Sequence, residues 1–220
     1  MRRRPDAVPL ESRDSTDPIL YFVSGETRRP MPQLWRLTRN RYGRAAYDAL
    51  VRAGITATVM DEYVTRLEEE TAFDATSDGS YTVETCLPAQ VASLDAPVDE
   101  LGPDERIVAA LEDGRPLGYC FVSLDAAHEI KPLERTLAFE GAYIRRVFVD
   151  PNHRNRGIAT AIVAEACRHA RAEGASRATA LVALDNSPSR ALFERHGFET
   201  RRRRRYVRVG PLSHRAARAV

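Results

Sequence analysis

The stretch Val147-Phe148-Val149-Asp150-Pro151-Asn152-His153-Arg154-Asn155-Arg156-Gly157-Ile158-Ala159 holds the residues whose types and spacing come closest to chemistry. An apolar strand ends at a proline, a short basic turn follows, and a helix opens on a glycine. The first turn of a helix has N–H groups without intrahelical partners and a partial positive charge. Gly157 lets a ligand approach the backbone closely, and Ala159 is the next-smallest choice. Arg154 and Arg156 add fixed cations, so the corner reads as an anion cradle suited to a diphosphate. A helix start packed tightly on a strand would read the same way, and context decides between them. One strand further on comes Asn186-Ser187-Pro188-Ser189-Arg190-Ala191-Leu192-Phe193-Glu194-Arg195-His196-Gly197-Phe198. There Ser187 is placed to cap a second, short helix with Pro188 at its first position. No Gly-x-Gly-x-x-Gly and no Gly-Lys-Ser/Thr occurs, which disfavours a dinucleotide fold and an NTP-binding loop.

The elements that must position these residues can be read around them. Gly157 to Glu173 is a helix with Ile158, Ile162, Val163, Ala166 and Ala170 on one side. Ala178 to Leu184 is an apolar run suited to a strand covered on both faces. Phe198 to Val209 reads as a last strand. Upstream, Tyr81 to Thr85 and Ala142 to Val149 read as strands, and Arg106 to Val122 as a hairpin turning at Asp113-Gly114. The pattern predicts an α/β (α+β) domain, a mixed sheet with helices on it. Before it, residues 1 to 30 are a proline-dotted lead-in with a short apolar run, Ile19 to Val23. Residues 32 to 52 have helical spacing, and Ile55 to Val59 suits a strand or a second helix. The polar loop Asp74 to Ser80 marks a boundary. The expected organisation is a largely helical N-terminal extension over 1–78, a domain over 79–210 and a tail over 211–220.

The chain has 220 residues, 43% apolar and 29% charged, which excludes a collagen, a disulfide miniprotein and a wholly disordered chain. No run of roughly 18 uncharged apolar residues exists, so no membrane partner is expected. Met1-Arg2-Arg3-Arg4-Pro5 is not followed by an apolar core, so the expected location is cytoplasmic. Cys86, Cys120 and Cys167 fit neither a zinc spacing nor a disulfide framework, and no metal is expected. The net charge of +2 conceals a segregation: residues 61 to 113 are acidic, and Arg201 to Arg205 is a basic run. Five adjacent arginines cannot all point outward from a sheet. The acidic stretch is one partner for them, which would leave no role for nucleic acid.

From about Tyr81 to Val209 the chain resembles the GNAT superfamily of acyl-CoA-dependent N-acyltransferases. The matching pieces are Val149-Asp150-Pro151, then Arg154-x-x-Gly157-x-Ala159, then Asn186-x-x-Ser189-x-x-Leu192-Phe193-Glu194-x-x-Gly197-Phe198. The resemblance implies a mixed, mostly antiparallel sheet with helices on both faces, splayed between its fourth and fifth strands, with acetyl-CoA in the gap. It implies backbone contacts to the pantetheine arm from Phe148 and Val149. It implies that Arg154, Asn155, Arg156, Gly157, Ile158 and Ala159 hold the diphosphate through their amides, with a hydroxyl contact from Thr160. Asn186 would bond near the thioester (or merely cap its helix), Ser189 could face the cofactor one turn on, and Phe193 would sit beside the leaving sulfur.

Phe193 is a departure. Many members carry a tyrosine there, whose hydroxyl protonates the leaving thiolate. Tyr143, Tyr206 or water could substitute. The family's catalytic glutamate on the fourth strand is matched by Tyr143, while Glu140, three residues earlier, faces the other way on a regular strand. His128, Glu129 and Glu134 lie in the preceding loop. His153 is expected at the surface near the cofactor, and His169 and His196 as exposed helix positions. The implied function is acetyl transfer to a primary amine of a small molecule or peptide by direct attack in a ternary complex. The alternative is a non-catalytic acyl-CoA-binding module. A homodimer is compatible with the apolar start of the N-terminal helix, at Leu34, Trp35 and Leu37.

Overall fold

The computed structural model describes Arg52, residues 54–68 and residues 79–220. The lead-in over 1–30, the helical pattern over 32–51 and the polar loop up to residue 78 lie outside the described residues. In chain order the elements are β1 (Ile55–Arg66), β2 (Thr82–Cys86), β3 (Arg106–Glu112), β4 (Arg115–Leu124), β5 (Ala127–Ile130), β6 (Arg135–Ala138) and β7 (Ala142–Val149). Then come α1 (Ile158–Ala172), β8 (Arg177–Ala183), α2 (Ser187–Arg195), β9 (Glu199–Val209) and β10 (Leu212–Ala219). Eight strands make one sheet in the order β10-β9-β1-β8-β7-β4-β3-β2, and β5-β6 is a separate hairpin. Every neighbouring pair is antiparallel except β7 and β8, which run parallel. The expected mixed, mostly antiparallel sheet is therefore present. Among the described residues no helix is long and apolar enough to cross a membrane.

Side-chain alternation divides the core between the two faces. Val108, Ala110, Leu117, Cys120 and Val122 pack under α1 with Ile158, Ile162, Val163, Ala166 and Cys167. Ile107, Ala109, Leu111, Tyr119 and Phe121 face the other way, onto Val91 of a 3-10 segment, Pro88–Leu94. The β5-β6 hairpin covers the rest of that second face, through Ile130, Leu133, Leu137 and Phe139 against Tyr143 and Tyr206. Cys120 and Cys167 are buried, and burial raises both thiols, as suits small core residues.

Two sequence boundaries move. The stretch at Ile55 is a strand: β1 enters the sheet between β8 and β9, so the domain includes residues placed in the extension. Residues 211–220 are not a tail either, because β10 pairs with β9 from Leu212↔Val209 to Ala219↔Arg202 and makes the sheet edge. β10 is wholly exposed and lacks an apolar alternation, and β1 mixes apolar residues with charged ones, so its pattern left strand and helix open. Tyr63 ties β1 to the core, and charge adds to that. Asp61 lies opposite Arg203, fully buried, and takes both of its hydrogen bonds at 2.7 and 2.9 Å. Arg204 pairs with Glu62, and Arg208 reaches Glu134 at 2.9 Å. The acidic stretch thus partners part of the arginine run.

A buried carboxylate stripped of its counter-ion is costly. Arg203→Ala should destabilise the protein by about 3 kcal/mol, read as a fall in Tm of about 6–12 °C. Asp61→Asn added to it should recover part of that loss in the same thermal denaturation.

Candidate active site

The geometry of the site begins with a missing set of sheet bonds. β7 and β8 are in register only at Ala142↔Ala178 and Tyr143↔Thr179. From Ile144 onward the β8-facing edge of β7 has no strand partner. The cause is local: three steps along β7, Arg145 to Phe148, match two along β4, Tyr119 to Phe121. One residue is extra, and Arg146 takes a left-handed φ of 57°. Such a bulge bends its strand and increases its twist, so β7 turns away from β8. Gly118 keeps β7 on β4 beyond the bulge, because a Cβ there would lie 2.6 Å from the Phe148 carbonyl oxygen.

On the α1 side of the gap lies a cleft of about 510 Å³. Its strand wall is Val147 and Val149, its floor the turn from His153 to Thr160, and its far wall the Asn186–Arg195 segment. Asp150 accepts from the Asn152 N–H at 2.8 Å and tightens the turn. Asn155 and Gly157 both have positive φ, 63° and 76°. This backbone aims its amides outward. Among the described residues nothing accepts from the N–H groups of Asn155, Gly157, Ile158, Ala159 or Thr160, and the first bond of α1 is Ala161 N–H to Gly157 O at 3.0 Å. A Cβ at Gly157 would meet only the Tyr81 hydroxyl oxygen, at 3.9 Å, so the space over the glycine is open.

Arg154, Asn155, Gly157, Ile158, Ala159, Thr160, Asn186, Ser189 and Val149 all line this cleft. Phe148 offers it no side chain, since its ring packs on Tyr119 across the sheet, 5.6 Å between centroids. Arg154 lies at the rim and donates to the Val149 carbonyl at 3.3 Å. Three expectations need correction. The Arg156 guanidinium is not a cation of the cleft: it is held by Glu112 at 2.6 Å, Ser80 at 3.0 Å and His153 at 3.0 Å. Phe193 does not line the cleft but is buried, edge-on to Phe198 at 5.0 Å, because the cleft face of α2 is Pro188, Leu192 and Arg195. The cap of α2 is Asn186 rather than Ser187, its side chain accepting from the Ser189 N–H at 3.4 Å. Asn186 thus both caps the helix and lines the cleft.

Arg195 was missed. It is a second cation of the cleft, three residues beyond Leu192 on the same helical face, and that spacing was the available signal. His169 and His196 are half-buried rather than exposed. Burial lowers the His196 pKa, partly offset by a hydrogen bond to the Thr160 backbone, which ties α2 to the first turn of α1.

Across β7 lies a second cleft, of about 640 Å³. Tyr143, Arg145 and Arg146 form its β7 wall, Met60 and Leu181 come from β1 and β8, and Glu100 and the segment His128 to Pro132 close it. Tyr143 stacks flat on Phe139, centroids 3.9 Å apart. Burial pushes its phenol up to about 12, so it stays protonated and can donate but not act as a base at neutral pH. Glu140 does not reach this cleft: it is exposed and pairs with Arg177 at 2.9 Å. Glu134 and Tyr206 are bonded to each other, outside both clefts.

Behind the wall sits a buried network that the sequence did not reveal. Glu105 accepts from Arg145 Nε and from the Gly102 N–H, both at 2.7 Å. Burial alone would raise its carboxyl; Arg145 and Gly102 outweigh burial and hold it below the usual range. His128 Nε2 is 2.7 Å from Ser123 Oγ, and its Nδ1 is 4.0 Å from Glu105. Burial lowers the His128 pKa despite Glu105, which keeps the ring neutral at pH 7.

The comparisons agree with this geometry. The description "Acetyltransferase (GNAT) family" matches residues 64–198, more than half of the chain. An uncharacterised N-acetyltransferase of Methanocaldococcus jannaschii is 34% identical over 87 residues, 40% of this chain and 36% of that one. GCN5-related N-acetyltransferases of Kribbella flavida and Sphaerobacter thermophilus share the fold. Their TM-scores are 0.52 and 0.51, at 17% and 16% identity, over 75% and 80% of this chain. The matches span about a third of the archaeal relative and 63% and 57% of the two structures. The chain belongs to the GNAT family of acetyltransferases.

A carboxyl whose folded pKa is depressed adds stability above its unfolded value of 4.5 and loses it as pH falls through the folded value. Urea denaturation across pH should therefore show wild type weakening below about pH 4.5. Glu105→Gln should start less stable at pH 7 and lose less on acidification.

Proposed function

We propose that the protein transfers an acetyl group from acetyl-CoA to a primary amine, by direct attack while both are bound. The observation that carries this is the set of N–H groups of Asn155, Gly157, Ile158, Ala159 and Thr160, unaccepted among the described residues and opening on the unpaired edge of β7. The fit to acetyl-CoA rests on three features of the cleft. Bare amides and the open Gly157 suit a pyrophosphate, and Arg154 and Arg195 add positive charge without a carboxylate in the lining. Val147, Val149, Ala191 and Leu192 offer an apolar flank to a pantetheine arm, with the β7 edge supplying backbone groups. Acetyl-CoA would supply an acyl group on a good leaving group, a thiol with a pKa of about 8.5.

The chain's own residues then divide the work. A β7 amide near Val149 donates to the oxygen that gains charge during transfer. Asn186 orients the acyl end from the α2 side. His128 takes the amine proton: with its Nε2–H donated to Ser123, the Nδ1 lone pair is available, and Glu105 favours the resulting cation. Tyr143, kept protonated, is the donor on the acceptor side. Phe193, being buried and without a hydroxyl, cannot serve as the acid, and this supports the second reading, a module that binds acyl-CoA without turning it over. A thiol-release assay over a panel of amines separates the two. Tight acetyl-CoA binding with no amine-dependent release would favour the second.

Two variants test the assignments. Gly157→Ala puts a methyl over the amides at a backbone cost of about 1–2 kcal/mol. CoA affinity by calorimetry should fall about tenfold, the worth of one hydrogen bond to a charged group. His128→Gln should lower kcat by about 10²-fold and remove the acid limb of the pH–rate profile below pH 6.5, leaving CoA affinity unchanged.

A further inference from the structure

The cations of the second cleft differ in how they are held. Arg145 is fully engaged, bonded to Glu105 and to the Glu100 carbonyl at 2.8 Å. Arg146 and Lys131, by contrast, share the single carboxylate of Glu100, Lys131 at 3.1 Å. Two cations thus share one carboxylate, and the other carboxylate of the lining, Glu129, is paired with neither. All three paired groups are partly exposed, Arg146 by 46% and Lys131 by 71%, so these ion pairs add little to stability.

Arg146 is also the extra residue of the β7 bulge, at φ 57°. Glycine or asparagine would take that conformation with less strain. The residue there is nonetheless an arginine, held by an exposed ion pair and lining the cleft. Near it stands His128, and beside that is Glu129, which has no ion partner among the described residues. The cleft lining therefore holds cations, carboxylates and an imidazole together.

We propose that the acceptor is an amino-acid-type molecule, a primary amine that also bears a carboxylate. Arg146, with Lys131, binds the carboxylate, and Glu100 holds these two cations until it arrives. The amine then lies toward Glu129 and His128. This inference rests on the acetyl-transfer reading for the amine's fate, but not for the binding of the carboxylate.

The test uses the full chain with the proteinogenic L-amino acids and their carboxamides, assayed for thiol release and, separately, for binding by calorimetry in the presence of CoA. Acids should be preferred to their amides. Arg146→Gly, which relieves the backbone, should raise KM for acids about tenfold to a hundredfold, the loss of a charge-assisted contact, and leave amides and CoA affinity unmoved. Glu100→Gln should lower KM for acids. Equal use of acids and amides, or an Arg146→Gly effect common to both, overturns the proposal. If no amine is acetylated, the acetyl-transfer reading falls while calorimetry still decides this one: acid binding lost in Arg146→Gly upholds it, and no acid binding by wild type overturns it.

Discussion

Two strands that ought to pair do so for only two residues each, and the rest of the molecule is arranged around that gap. Inside a sheet an unpaired strand edge is expensive, because its N–H and C=O groups have neither water nor a ladder to satisfy them. Here the edge stays open since the bulge at Arg146 bends β7 while β8 continues straight into the sheet with β1. The gap is held apart from both sides. α1 packs on β4 and β7 through Ile158, Ile162 and Val163, and α2 is seated by Phe193 and Phe198 in the same core. What this leaves is a pair of clefts separated by one strand, with backbone donors at the strand edge between them.

The half of the sheet beyond the gap depends on a different force. β8 is apolar, but β1 and β9 together carry Asp61, Glu62 and the arginine run. Cross-strand like charges repel, and opposite ones attract. Placing β1 between β8 and β9 sets Asp61 against Arg203 and puts Glu62 within reach of Arg204. The same insertion gives β9 two partners, so the arginines do not lie on a sheet edge; β10 does. Tyr63, at the buried end of β1, completes the connection: its hydroxyl donates to Glu194 at 2.9 Å and accepts from Arg190 at 3.0 Å. The strand that is acidic on its β9 side is thereby anchored to α2, the helix that walls the first cleft.

What could be read in the sequence follows from range. The turn from Asp150 to Ala159 was legible because its chemistry is local: a proline, a glycine and a helix start are contiguous, and their backbone geometry follows from residue type. The strands of the domain's core were legible through apolar runs. β1 was legible only as a strand or a helix over Ile55 to Val59, because its pairing is chosen by partners far along the chain, Asp61 with Arg203 across 142 residues; β10 pairs with its sequence neighbour β9, but its wholly exposed residues carry no apolar alternation to mark it. Arg156 and Phe193 show the same limit within the site. Proximity in sequence suggested that both faced the ligand, yet Glu112 claims the one and the core claims the other. The Glu105–Arg145–His128 network had no signature at all, since its members come from the residue before β3, from β7 and from β5, and meet only after the sheet has formed.

A break in the alternation of β7 explains how one strand can wall two clefts. Val147 and Val149 turn to the first cleft, and Tyr143 and Arg145 to the second. A regular strand would put all four of these odd-numbered residues on one face, with its edge sealed by β8, and the two clefts would have no common boundary. The bulge changes both conditions at once. It unseals the edge, and it lets Arg146 join Arg145 on the same cleft instead of alternating away from it. Two adjacent arginines on one wall would repel each other, and Glu105 and Glu100 each take one. The less exposed member, Arg145, is fixed in place by a buried carboxylate and stacks over Phe121 at 5.0 Å. The exposed member is left on a carboxylate that it shares with Lys131. Rigidity at the inner position and an exchangeable contact at the outer one are what a wall needs if it is to keep its shape while receiving an anion. Both follow from a single inserted residue.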